Sequence, residues 1–256
     1  MKSLQTISEI ITKWPELKTT LNTILENDTN NSLQIEGVHG SLFSYFTKEL
    51  ITLGHFKSLH AAEYASSSKH TPLFKTFSND LIIVVPTETD AIELNTDLHT
   101  IFPEADISIF PAWGTVPYRP VAQGSITFGK RAGILTKLLE KNTKISFEAS
   151  PRIFIFTQRS FMSPLPDPSY LKTLSFKLRK GDSLDTAKVA EKLVKNGYIR
   201  VPKVTVRGEF SLRGEVLDIF LPSDDNATRI IFDFDEIEAI KSFEADSQSS
   251  IGDKVD

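Results

Sequence analysis

Apolar residues at the start of the chain recur at helical spacing. Leu4, Ile7, Ile10, Ile11 and Trp14, then Leu17, Leu21, Ile24 and Leu25, fall on the faces of two short helices, and Pro15 opens the second. A polar break from Asn27 to Asn31 follows, so the pair is expected to cap the next domain. From Leu33 to about Ser163 short apolar runs alternate with helical repeats. This predicts strands over residues 33–36, 81–85, 107–110 and 152–156, and helices over 41–53, 88–102 and 127–139. Wholly apolar strands such as 82–85 and 153–156 suit a sheet covered on both faces, and strands joined by helices imply parallel order. The expected fold class is α/β, with an open parallel sheet. Residues 66–72 read as a polar surface insertion.

The pattern changes at Pro164, Pro166 and Pro168, where three prolines in close succession mark a boundary. Beyond it the sequence predicts a strand over 173–178, a helix over 183–196 capped by Ser183 and stopped by Gly197, and β runs over 201–206, 209–212, 215–220, 229–233 and 237–243. The expected organisation is N-terminal helices (1–30), an α/β domain (31–168), a smaller α+β domain (169–247) and a linker (248–256).

Composition narrows the function classes. The 256 residues hold 40% hydrophobic and 24% charged positions, ordinary for globular domains. A net charge of −4 argues against a chain whose main task is wrapping phosphate backbones. With no cysteine there are no disulfides, thiolate metal sites or thiol nucleophiles. Neither a signal peptide nor a membrane span is legible, which makes cytoplasm the default compartment and leaves no membrane partner. The five histidines form no metal-ligating pair, and no nucleophile elbow is present. No catalytic residue and no metal ligand is assigned.

One loop imitates a nucleotide site. Gly37-Val-His-Gly-Ser-Leu-Phe-Ser44 has the strand–turn–helix outline of a P-loop, whose working form is Gly-x-x-x-x-Gly-Lys-Ser/Thr. Gly37, Gly40 and Ser44 fit the outline. Leu42 stands where the second glycine belongs and Phe43 where the lysine belongs, so both the flexible backbone and the charge of a phosphate cradle are missing. A degenerate loop without cofactor is the expectation. The acidic run ending Ile230-Ile-Phe-Asp-Phe-Asp-Glu236 looks like a magnesium-holding strand but lies in the β-rich second half, far in sequence from any lysine loop.

Two stretches carry a family resemblance. Gly208-Glu-Phe-Ser-Leu-Arg-Gly-Glu-Val-Leu-Asp-Ile-Phe-Leu-Pro222 with Arg229-Ile-Ile-Phe-Asp-Phe-Asp-Glu-Ile237 resembles the second domain shared by the excision-repair protein UvrB and the bacterial transcription-repair coupling factors. Phe110-Pro-Ala-Trp-Gly-Thr-Val-Pro-Tyr118 resembles the coupling-factor version of the first domain. UvrB keeps an intact phosphate loop and a Tyr-rich hairpin, whereas this chain has Leu42 and Phe43 in the loop and only Tyr118 and Phe128 as aromatic residues between Trp113 and Lys130. Both departures point to the coupling factors.

That resemblance implies a non-enzymatic adaptor docking onto UvrA. It also implies a longer parent in which other domains bind ATP and magnesium, drive translocation on duplex DNA and contact RNA polymerase. The UvrB arginines of the UvrA surface fall on Arg200, Arg213 and Arg229, a further one falls on Ser211, and an acidic position falls on Ile231. Arg207 is placed to substitute, with Phe210 and Tyr198 adding aromatic area. Without the resemblance the same arginines read as a solvated strand face, and with it as a partner surface; a divergent UvrB-type ATPase is the competing reading.

Overall fold

The computed structural model describes residues 2–26, 34–67, 80–114, 126–140, 150–183 and 185–253. Its helices and strands run, in chain order, α1 (Lys2–Thr12), α2 (Pro15–Glu26), α3 (Ser41–Ser67), β1 (Asp80–Val85), α4 (Glu88–Ile101), β2 (Asp106–Phe110) and α5 (Ile126–Leu139). Next come β3 (Arg152–Thr157), α6 (Gln158–Phe161), α7 (Pro168–Leu174), α8 (Thr186–Lys195), β4 (Ile199–Arg200) and β5 (Glu209–Arg213). The chain closes with β6 (Val216–Ile219), β7 (Ala227–Asp233), β8 (Glu236–Phe243) and β9 (Ser250–Asp253). Two compact units result. The first takes Met1–Phe110 and Lys141–Met162, and the second takes Pro111–Glu140 and Ser163–Asp256, so α5 belongs to the second although β3 follows it.

The first unit is α/β, around a parallel sheet in the order β1-β3-β2. Central β3 is buried on both faces, as its apolar run predicts. Ile153 and Ile155 pack with Ala91, Leu94 and Leu98 of α4. Phe156 meets Phe110 at 4.7 Å between ring centroids and Phe161 edge-on at 5.9 Å. Leu98 is wholly buried, a contribution of roughly 1.5–3 kcal/mol. Edge strand β1 departs from the expectation: Ile82 is 52% and Val84 48% exposed. An edge has one neighbouring strand, so an apolar sequence there does not guarantee cover.

Local chemistry fixes these elements. Thr87 caps α4, accepting from the Asp90 amide while Asp90 accepts from the Thr87 amide at 3.0 Å, a reciprocal box that satisfies two free donors. Arg152 Nε donates to Asp80 Oδ1 at 2.7 Å, joining β3 to β1 at their first residues. α1 and α2 share one apolar cluster with α3, built from Ile11, Leu17, Leu21, Tyr45 and Phe46. The strand expected over 33–36 does not form at 34–36, which are exposed and irregular, and Leu33 lies outside the described residues, as do residues 68–72 of the expected polar insertion.

The second unit holds a mixed six-stranded sheet in the order β4-β5-β6-β7-β8-β9, parallel at β4–β5 and antiparallel elsewhere. α8 covers one face through Leu193, against Phe210, Leu217, Ile219, Ile230, Phe232 and Ile237. Val204, Phe220, Ala227, Phe243 and Ala245 form a second cluster.

Several expectations are corrected in this unit. Residues 168–174 are helical where a strand was expected from 173, because Asp167 accepts from the Ser169 amide and Pro168 supplies a favourable first position. The cap of α8 is Asp185, whose Oδ1 accepts from the Lys188 amide at 3.0 Å, and Ser183 instead makes a bridge to Glu236. Gly197 stops the helix as expected, at φ +88°. Residues 201–206 form no strand; the two Glu209-bound amides of Thr205 and Val206 hold them as a loop. The expected linker contains β9, which pairs with β8.

Candidate functional site

The Gly37–Ser44 loop keeps its turn and turns its side chains inward. Gly37 and Gly40 have φ of +84° and +57°, and α3 begins at Ser41. Leu42 packs into the α1–α2–α3 cluster and Phe43 into the core of the parallel sheet. Ser44 is completely buried, its hydroxyl without a hydrogen bond among the described residues. The nearest following lysine, Lys48, donates to the Ile101 carbonyl at 3.1 Å and lies over the Phe102 ring. At Phe43 a terminal phosphate would meet a ring committed to packing. No group of three or more potential metal ligands occurs among the described residues.

The arginine set is organised by a residue that the sequence reading passed over. Strand register brings Ser211 opposite Asp218, and Asp218 opposite Arg229. Asp218 is 1% exposed. Burying a carboxylate costs several kcal/mol unless its oxygens are engaged, and here both are. Arg229 donates from Nε to Oδ1 at 2.7 Å and from Nη2 to Oδ2 at 3.0 Å, a planar fork that also lies 4.5 Å over the Phe243 ring. Arg213 Nη2 reaches the same Oδ2 at 3.2 Å. The hydrogen bond to Asp218, with burial opposing and charge attraction assisting, raises the Arg229 pKa above its ordinary value.

The members of the set therefore do different things. Arg213 keeps 56% of its side chain exposed while Asp218 fixes its orientation. Arg229 is 27% exposed and chiefly neutralises Asp218. Arg207 donates from Nε to the Asp224 carbonyl at 2.9 Å, pairs with Asp225 and lies over Phe220, which ties it to the loop after β6. Arg200 is exposed on β4 and registers with Phe210. Registered residues share a face, so Arg200 belongs to the Phe210 side of the sheet, whereas Arg213 and Arg229 stand on the alternate side with Asp218. The arginines thus do not form one patch.

Phe210 is a correction. It is wholly buried in the α8 cluster and presents nothing to a partner. Alternation along Phe210-Ser-Leu212 already carried that signal. Tyr198 packs against the same cluster; burial, helped by the Asp224 charge, pushes its hydroxyl up to about 12. Ser211 is buried and donates to the Pro202 carbonyl at 3.1 Å, so the loop before β5 covers this position. A cue to Asp218 existed as well: an acid set within Val216-Leu-Asp-Ile219, facing away from Leu217 and Ile219, needs a cation on a neighbouring strand.

Residues 176–255 match the family model described as the UvrB interaction domain. The transcription-repair-coupling factor of Borreliella burgdorferi is 28% identical over 224 residues, covering 87% of this chain and 18% of that protein. That of Mycobacterium tuberculosis is 31% identical over 174 residues, 67% of this chain and 14% of its own length. The Haemophilus influenzae protein is 30% identical over 173 residues, 68% of this chain and 14% of its own. The chain thus spans less than a fifth of each of these relatives. Residues 176–255 are similar to the UvrB interaction domain, and the chain over most of its length is similar to the transcription-repair-coupling factors.

Proposed function

We propose that this chain is a non-enzymatic adaptor that recruits UvrA in transcription-coupled repair, docking through the β5–β7 part of its second sheet. The observation that carries the reading is Arg213, a half-exposed guanidinium held in place by a buried carboxylate inside the matched domain. Arg presents a planar fork suited to partner carboxylates, and interface energy concentrates in a few such anchors. Arg200 is an additional anchor around the sheet edge. The first unit serves as a P-loop-like scaffold that has lost its nucleotide, and the inward packing of Leu42 and Phe43 weighs against the ATPase alternative. ATP hydrolysis, translocation on DNA and RNA polymerase contact belong to other parts of a longer parent.

Co-elution of the chain with UvrA on size exclusion tests the proposal. A complex that weakens on Arg213→Ala or Arg200→Ala supports it, and separate elution of the wild-type chain refutes it.

A further inference from the structure

The two tight hairpins of the second sheet are alike in backbone and unlike in sequence. Gly214 and Glu215 join β5 to β6, between the registered pair Arg213 and Val216. Phe234 and Asp235 join β7 to β8, between Asp233 and Glu236. The first loop residue has φ of +55° in both. Two-residue hairpins use this left-handed position to match the twist of their strands, and glycine occupies it freely. A bulky aromatic residue there is an outlier that the surroundings must justify.

Packing within the unit does not justify it. Phe234 is 84% exposed, more than any other large apolar residue among those described. A turn alone would be better served by glycine, as at Gly214. Its neighbours in sequence Asp233, Asp235, Glu236 and Glu238 are all exposed, and none has an ion pair among the described residues. The tip lies at the same end of the sheet as Arg213, because the Phe232 amide donates to the Glu215 carbonyl at 2.9 Å.

We propose that Phe234 and its acidic rim are a second anchor for the protein partner of this domain, the ring entering an apolar pocket bordered by lysine or arginine side chains. The inference rests on the UvrA reading and names a further part of that surface. Aromatic anchors flanked by polar groups dominate many interfaces, and the unpaired carboxylates select a basic border while repelling nucleic-acid phosphates.

Isothermal titration of the chain with purified UvrA tests it, using Phe234→Gly, Phe234→Trp and Asp235→Lys. Phe234→Gly relieves the turn, so its Tm stays equal or rises while Kd for UvrA increases at least tenfold. Phe234→Trp keeps the affinity and Asp235→Lys weakens it. The anchor is overturned if Phe234→Gly binds UvrA with the wild-type Kd while Arg213→Ala has lost affinity. If the wild-type chain does not bind UvrA, the functional reading fails first and takes the anchor with it.

Discussion

Arg229 and Asp218 form a two-point contact across β6 and β7, Nε to Oδ1 at 2.7 Å and Nη2 to Oδ2 at 3.0 Å, with the carboxylate 1% exposed. Removing the arginine would strand a buried charge with Arg213 as its remaining cation and uncover Phe243. Arg229→Ala is expected to cost about 3 kcal/mol, the lower end for breaking a buried pair because Arg229 keeps some solvent contact. Arg213→Ala, at a half-exposed position, is expected to cost less than about 1 kcal/mol. Urea midpoints of the two variants check this ordering. Equal midpoints would show that Asp218 does not depend on Arg229.

Gly129 of α5 is required by proximity. An added Cβ would lie 2.2 Å from the backbone carbonyl carbon of Pro222, which cannot move as a side chain would. Gly133, one turn later, would meet the Ser223 side chain at 3.2 Å. Gly129→Ala is expected to lose roughly 2 kcal/mol or more and Gly133→Ala much less, typical of overpacking against a rigid and a yielding neighbour. Thermal melts of the pair measure the difference, and equal Tm values would contradict the docking of α5 on the loop after β6.

Alkaline titration isolates Tyr198. Burial first, then the Asp224 charge, lifts its pKa from 10.0 to about 12 in the folded chain. The folded state therefore holds a proton that the unfolded chain releases between those values, and stability falls as pH rises through that window. The loss approaches about 2 kcal/mol. Tyr198→Phe should flatten the decline between pH 10 and 12 in urea titrations, while an unchanged slope would place the hydroxyl in solvent.

Much of this architecture is legible in the sequence because apolar period and position agree. β3, α4 and the β5–β8 meander lie within a residue or two of their expected bounds. The errors arise where local capping overrides alternation. The Leu174-Ser-Phe-Lys-Leu178 pattern alternates like a strand, yet Asp167 and Pro168 start a helix that runs to Leu174. β9 was hidden by polar residues, since an edge strand draws on backbone pairing more than on side-chain burial. At the candidate site, arginines could be read as charges, but which of them is spent on Asp218 depends on cross-strand register. The left-handed geometry of Phe234 likewise follows from the length of its hairpin, which the expected strand bounds made three residues long, at 234–236, where the structure has two, Phe234 and Asp235.

The central claim is that Arg213 belongs to a surface for UvrA rather than to the fold. The most direct test is the Kd for UvrA of the wild-type chain and of Arg213→Ala, with the urea midpoint of each. Measurable wild-type binding, a loss of at least tenfold in the variant and nearly unchanged midpoints are expected. Wild-type affinity in Arg213→Ala would contradict it.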